Sequence, residues 1–171
     1  MIIKINTKCQ KEIIIIDSKR GKCSMSLEEN KAIILSLYEA DNKKDLGIMD
    51  EVISPDFFDP TFKLQGPERL KQFENAFLKG FPDWIETVED IIAERDRVWV
   101  RFTGTGTHKV EWRGLAPTGK KITFSGVQIW RLVDGKGVSK DSIVDLLDAL
   151  KQLGAIEYTE KAKKLFPELV K

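Results

Sequence analysis

Histidine is almost missing: this 171-residue chain has one, His108. That excludes a His-rich metal site, and no spacing of carboxylates suggests ligation by oxygen alone. Cysteine is nearly as scarce, with Cys9 and Cys23 both near the N-terminus. A bridge between them would staple only that segment, so the pair reads as two reduced thiols of a cytosolic protein. No charge of one sign dominates: 28 Lys and Arg stand against 27 Asp and Glu, net +1. A nucleic-acid binder carries a basic excess on one face, and no basic run is present here. No apolar run approaches the roughly 20 residues that span a bilayer, so no membrane partner is expected. The isoleucine runs near the N-terminus are shorter than the apolar region of a secretory signal. Internal repeats and low-complexity stretches are also lacking. What remains is a soluble chain long enough for one domain with a proper core.

The strongest pattern lies between Arg97 and Ser139. Residues 97–103 alternate polar and apolar, with Trp99 on the other parity. In residues 122–132, Ile122, Phe124, Gln128, Trp130 and Leu132 share one parity, and Thr123, Ser125 and Arg131 the other. Period-2 alternation rich in Val, Ile, Thr and aromatics marks antiparallel strands. Pro117-Thr118-Gly119 and Asp134-Gly135 supply the turns between them.

Helices precede this sheet. Ser26-Leu27-Glu28-Glu29 is a capping box that predicts a helix to about Asn42. Asp45 can cap a second helix through Ile53, ended by Ser54-Pro55. Phe57, Phe58 and Phe62 form a short extended piece. Gly66-Pro67 opens a third helix, with Leu70, Phe73, Phe77 and Leu78 at helical spacing, closed by Gly80 and Pro82. Trp84 to Glu89 reads as a strand, and Ile91 to Glu94 leads to a turn at Arg95-Asp96. After Val138 the pattern becomes helical, with Ile143, Val144, Leu146, Leu147, Leu150 and Leu153 before Gly154. A last amphipathic helix covers roughly Thr159 to Leu165. Residues 1–24 read either as an extra hairpin or, preferably, as a weakly ordered extension. Met25 is a candidate first residue of the domain, or the native start of a chain to which something was added. Helices first and antiparallel strands after them imply an α+β fold, a curved sheet with helices on one face.

The order and spacing of several short motifs resemble one family. They are Asn30 to Tyr38, Ser54-Pro55-Asp56-Phe57, Gly66-Pro67-Glu68, Phe81-Pro82-Asp83, Val88-Glu89-Asp90, Gly106-Thr107-His108, Gly114, Pro117-Thr118-Gly119-Lys120, Phe124-Ser125-Gly126 and Gln152-Leu153-Gly154. Residues 26–154 resemble the SnoaL-like polyketide cyclase (ester cyclase) family of the nuclear transport factor 2-like superfamily. The resemblance implies a conical barrel, its curved antiparallel sheet wrapped by N-terminal helices around a deep apolar cavity. It implies ring closure by intramolecular aldol condensation, without a cofactor, on a small apolar carbonyl-containing molecule. It also implies a homodimer formed through the outer face of the sheet. The domain is expected over 25–154, with 155–171 as a helical tail.

An aldol cyclase must remove a proton α to a carbonyl and stabilise the enolate. A desolvated carboxylate can do the first and a hydrogen-bond donor the second. In the family pattern the acid lies on the last strand, and the gapless match places Ser142 there. Asp141 is one residue away, on the opposite face of a strand unless a bulge intervenes. Asp145 matches a second acid, with a helix N-cap as the competing role. Gln128 shares parity with Phe124 and Trp130, which points it into the cone as a donor or as a satisfied wall residue. His108 matches the Gly-Thr-His motif and is either structural or an alternative base. Pro60 stands where the family often has a histidine. Tyr38, Phe58, Trp112 and Trp130 are the expected substrate-binding aromatics. The expected catalytic set is therefore Asp141 or Asp145, assisted by Gln128 and His108. The rival is a non-catalytic small-molecule-binding or oligomerisation module, favoured by the replaced acid.

Overall fold

The computed structural model describes residues 25–167. The Cys9–Cys23 reading and the N-terminal extension lie outside the described residues. Helix α1 spans Leu27–Lys43, and Ser26 and Glu29 form the reciprocal capping box. A 3₁₀ turn at Leu46–Ile48, capped by Asp45, runs into the short α2 (Met49–Val52). Strand β1 (Ile53–Asp59) and the two-residue β2 (Leu64–Gln65) precede α3 (Gly66–Gly80). Then come β3 (Ile85–Glu94), β4 (Arg97–Thr107), β5 (Lys121–Val133) and β6 (Lys136–Val144). Helices α4 (Leu146–Leu153) and α5 (Glu160–Leu165) close the described chain. None of its helices is long and apolar enough to cross a membrane.

The strands form one curved sheet in the order β2-β1-β6-β5-β4-β3. Neighbours run antiparallel except β1 and β6, which are parallel. The α+β cone with helices over the inner face is thus the observed architecture. Two boundaries differ from expectation. The second helix stops at Val52, because Ile53 pairs with Gly137 and begins β1. Ile143 and Val144 belong to β6, where they pair with Val127 and Gly126, and the helix waits for its cap at Asp145. Their apolar character serves either element, and the strand partner decides.

Inward positions carry the core. Val98, Val100 and Phe102 of β4 and Trp130 and Leu132 of β5 pack under Ile34, Leu37 and Tyr38 of α1. A second cluster joins Leu78, Phe81, Trp84, Ile122, Ala149 and Leu153 beneath α4. Trp84 lies across Gly104 and Gly106 of β4, so closely that a Cβ at Gly104 would overlap the indole. This contact packs the residue just before β3 against β4. Gly104→Ala is expected to cost about 2–3 kcal/mol by overpacking, read from urea unfolding. Its outward neighbour Thr103→Ala should cost less than about 1 kcal/mol. Equal losses would contradict this account of the glycine.

Candidate active site

The pleat of β6 turns Lys140, Ser142 and Val144 inward. On β5 the inward set includes Phe124 and Gln128, and Gln128 lies directly across from Ser142. Helix α3 brings Phe73, Glu74 and Phe77 to the same space at helical spacing. These elements enclose a cavity of about 100 Å³. Its walls are mostly apolar: Phe62, Phe81, Phe102 and Trp112 add aromatic rings, and Ile122, Val144, Leu146, Ala149, Leu150 and Leu153 add aliphatic side chains. Glu74, Glu86, Gln128, Lys140, Ser142 and Arg113 are its polar members. Behind it lies a smaller chamber of about 30 Å³, which shares Glu74, Glu86, Gln128 and Lys140 and adds Tyr38, Asp41 and Trp130. The four shared side chains form the partition between the two spaces.

Lys140 is the charged centre. Its side chain is 4 % exposed, and its Nζ donates to Glu74 Oε1 at 3.2 Å. Asp59 Oδ2 is 3.8 Å away and Asp59 is fully buried. The ammonium also sits 5.4 Å from the centre of the Trp130 ring. Burial opposes its charge, but the carboxylates of Glu74 and Asp59 outweigh burial and hold Lys140 above its ordinary value. Lys140 therefore remains a cation.

Two further carboxylates face this centre. The Glu86 carboxylate is enclosed, although the residue as a whole keeps partial solvent access. It accepts from Trp84 Nε1 at 3.2 Å. Its backbone is locked to α1 by a reciprocal pair with Asn42, both bonds 2.8 Å long. Burial, then the charge of Glu74, pushes Glu86 up to about 7, against the pull of Trp84 and Lys140. Asp41 is raised as well, by burial first and by Glu74 and Glu86 after it. Its Oδ1 is buried with no hydrogen-bond partner. Two ammonium groups, Lys140 and the less buried Lys44, act on this acidic cluster, and burial still raises Glu86 and Asp41 toward their protonated forms. A carboxyl poised near neutrality that shares a mostly apolar cavity with a permanent cation is equipped to move protons.

Gln128 is oriented by two donors. Tyr38 Oη donates to its Oε1 at 2.8 Å and Trp130 Nε1 does so at 3.2 Å. An indole N–H only donates, so the amide oxygen is fixed on that side and the amide NH₂ is left for a ligand. Burial holds Tyr38 above its ordinary value, with Glu86 and Asp41 adding to the effect. It stays neutral and serves as a donor. Ser142 Oγ is buried without a partner on the cavity wall.

Of the other sequence candidates, Asp141, Asp145, His108 and Phe58 lie elsewhere. Asp141 pairs with Ile129 and has the opposite parity to Lys140 and Ser142, so the strand carries it on the outer side of the sheet. No bulge separates Asp141 from Ser142 to restore it to the inside. Asp145 caps α4, accepting from the backbone N–H of Asp148 at 3.0 Å. His108 is fully buried and stacked on Phe81, with Nδ1 3.3 Å from the backbone nitrogen of Thr118. It ties the end of β4 to the following turn and does not line the cavity. Trp112 lines the cavity, whereas Tyr38 and Trp130 line the inner chamber. Phe58 is 46 % exposed and lines neither. Sequence reasoning missed Lys140, Glu74, Glu86, Asp59 and Asp41. The available signal was Lys140, a charge on the inward parity of the last strand, two residues before Ser142.

The sequence model of the SnoaL-like polyketide cyclases matches residues 32–153. The chain belongs to that family. Among solved structures, the SnoaL-like chain is similar to AclR of Streptomyces galilaeus, a proposed hydroxylase. Identity is 31 %, over 84 % of this chain and 97 % of AclR, with a TM-score of 0.72. It is also similar to IdmH of Streptomyces antibioticus, a proposed polyketide cyclase, at 31 % identity over 73 % and 98 %, with a TM-score of 0.63. A SnoaL-like protein of Jannaschia shares the fold at 24 % identity, covering 81 % of this chain and all of that one, with a TM-score of 0.70. No curated protein matches the sequence.

The raised Glu86 makes a pH prediction. Between its ordinary value of 4.5 and about 7, the folded state holds a proton that the unfolded state has lost. Stability attributable to this group therefore falls as pH rises through that window. Glu86→Gln removes the penalty. The variant is expected to match wild type below the window and to exceed it at pH 8, by up to about 3 kcal/mol. Urea unfolding at both pH values measures this; a variant weaker at pH 8 would contradict the assignment.

Proposed function

We propose that this SnoaL-like protein is a cofactor-independent enzyme of the polyketide/ester cyclase type, acting by acid/base chemistry on an apolar carbonyl compound. Glu86 is the acid/base residue. It takes the proton α to the carbonyl, and Lys140 and the amide of Gln128 stabilise the enolate oxygen that forms. The enolate carbon then attacks a second carbonyl of the same molecule, and Glu86 returns the proton to the new alkoxide. The observation that carries this reading is a carboxyl near neutrality facing a fixed ammonium across an aromatic cavity. The acid expected on the last strand is thereby supplied from β3, across the cavity.

Exchange of the methyl protons of acetophenone in D₂O, followed by NMR, tests the proton-transfer step without the natural substrate. The protein is expected to accelerate exchange, with a rate that rises through about pH 7 as Glu86 loses its proton. Glu86→Gln should lower it by roughly 100-fold or more, while Asp141→Asn leaves it unchanged. Exchange that survives Glu86→Gln would remove Glu86 from the mechanism. The second reading, a binding or oligomerisation module, is favoured by Ser142 standing at the acid position. It requires that the protein leave the exchange of acetophenone at the uncatalysed rate.

We further propose that two copies pair through the outer face of the sheet. Ile85, Ile92, Trp99 and Ile143 leave apolar surface exposed there, which fits burial in a partner. Light scattering should give a dimer mass, and Trp99→Glu a monomer. A monomeric wild type refutes the pairing.

A further inference from the structure

Arg113 belongs to the cavity but not to the proton-transfer machinery. It lines the cavity and is itself exposed, so it stands where the cavity meets solvent. Its guanidinium carbon lies 5.3 Å from the centre of the Phe73 ring and 5.4 Å from that of Trp112. Two aromatic faces thus hold a planar cation whose N–H edge is left open. Among the described residues no carboxylate is within ion-pair distance of it.

The backbone beneath it breaks a local preference. Trp112 and Leu115 exchange hydrogen bonds of 3.1 and 3.0 Å around a two-residue turn made of Arg113 and Gly114. Both turn residues have positive φ, 52° and 81°. Gly, Asn or Asp suit the first of these positions, and an arginine there is strained. The turn is also anchored: Trp112 packs against Gly80 at the end of α3, and the N–H groups of Lys109 and Val110 both point to Gly80 O. A costly residue on a fixed turn, stacked over a cavity mouth and unpaired, is the pattern of a ligand contact.

We propose that Arg113 makes this a site for flat, apolar carboxylic acids, the guanidinium taking the carboxylate at the mouth while the ring system enters the aromatic interior. A guanidinium meets a carboxylate through two parallel N–H···O bonds, which a neutral amide or ester does not reproduce. Lys140, the other cation on the cavity lining, is already paired with Glu74 and Asp59, and the interior carboxylates oppose deep entry of an anion, which leaves Arg113 as the unpaired cationic group for it. The inference rests on the proposed apolar-ligand role of the same cavity and names the substrate class.

Calorimetric titration with 2-naphthoate and with 2-naphthamide, its neutral isostere, tests it on the full chain. Wild type is expected to prefer the acid by roughly three- to tenfold at low ionic strength, the preference shrinking as salt is added. Arg113→Gln should equalise the two ligands and leave the amide affinity within about twofold of wild type. Arg113→Gly relieves the positive φ, so it should fold at least as well and also lose the preference. Equal binding of acid and amide by wild type overturns the role of Arg113 and leaves the apolar cavity standing. A preference unchanged in both variants does the same. Binding of neither ligand overturns both.

Discussion

A buried ammonium with more acid around it than it neutralises sets the terms for the inside of this cone. Lys140 enters from β6, Asp59 from the end of β1, Glu74 from α3, Glu86 from β3 and Asp41 from α1. The cluster is therefore also a joint between the helical layer and both halves of the sheet. Removing Lys140 would leave carboxylates unpaired in a low-dielectric space, a situation proteins avoid. The surplus of acid has a chemical consequence. Because the charges cannot all coexist, protons remain on groups that lose them freely in water, and a carboxyl becomes available near neutrality.

The scaffold keeps that carboxyl in place with a side-chain hydrogen bond from Trp84 Nε1. The backbone of Glu86 is tied to Asn42, so its side chain need not anchor the strand. Gln128 is oriented from behind by Tyr38 and Trp130, which leaves its donors facing forward. The apolar walls lower the local dielectric, which strengthens each of these interactions. Arg113 stands apart from this interior, on a turn pinned to the end of α3.

Much of the scaffold was legible because its signals are local. The capping box at Ser26 and Glu29, the Gly66-Pro67 opening of α3 and the Asp134-Gly135 turn depend on residues within four positions of one another. Parity alone pointed Gln128 into the cone, and Gln128 lines it. Parity also warned that Asp141 would face away once Ser142 faced in, as the pairing of Asp141 with Ile129 reflects. The end of β6 was less legible, because Ile143 and Val144 suit a strand and a helix equally until β5 supplies partners.

By itself the sequence determined the element order, the turns and which side of each strand is apolar, since these follow from backbone preferences and a two-residue period. Only the tertiary structure decided where the chemistry sits. Asp41, Asp59, Glu74, Glu86 and Lys140 come from five separate elements spread over 100 positions of chain (41 to 140), and none forms a motif with its neighbours. Their proximity arises from sheet order and from the seating of α1 and α3. The proton affinity of Glu86 arises from the burial and charge that this proximity creates.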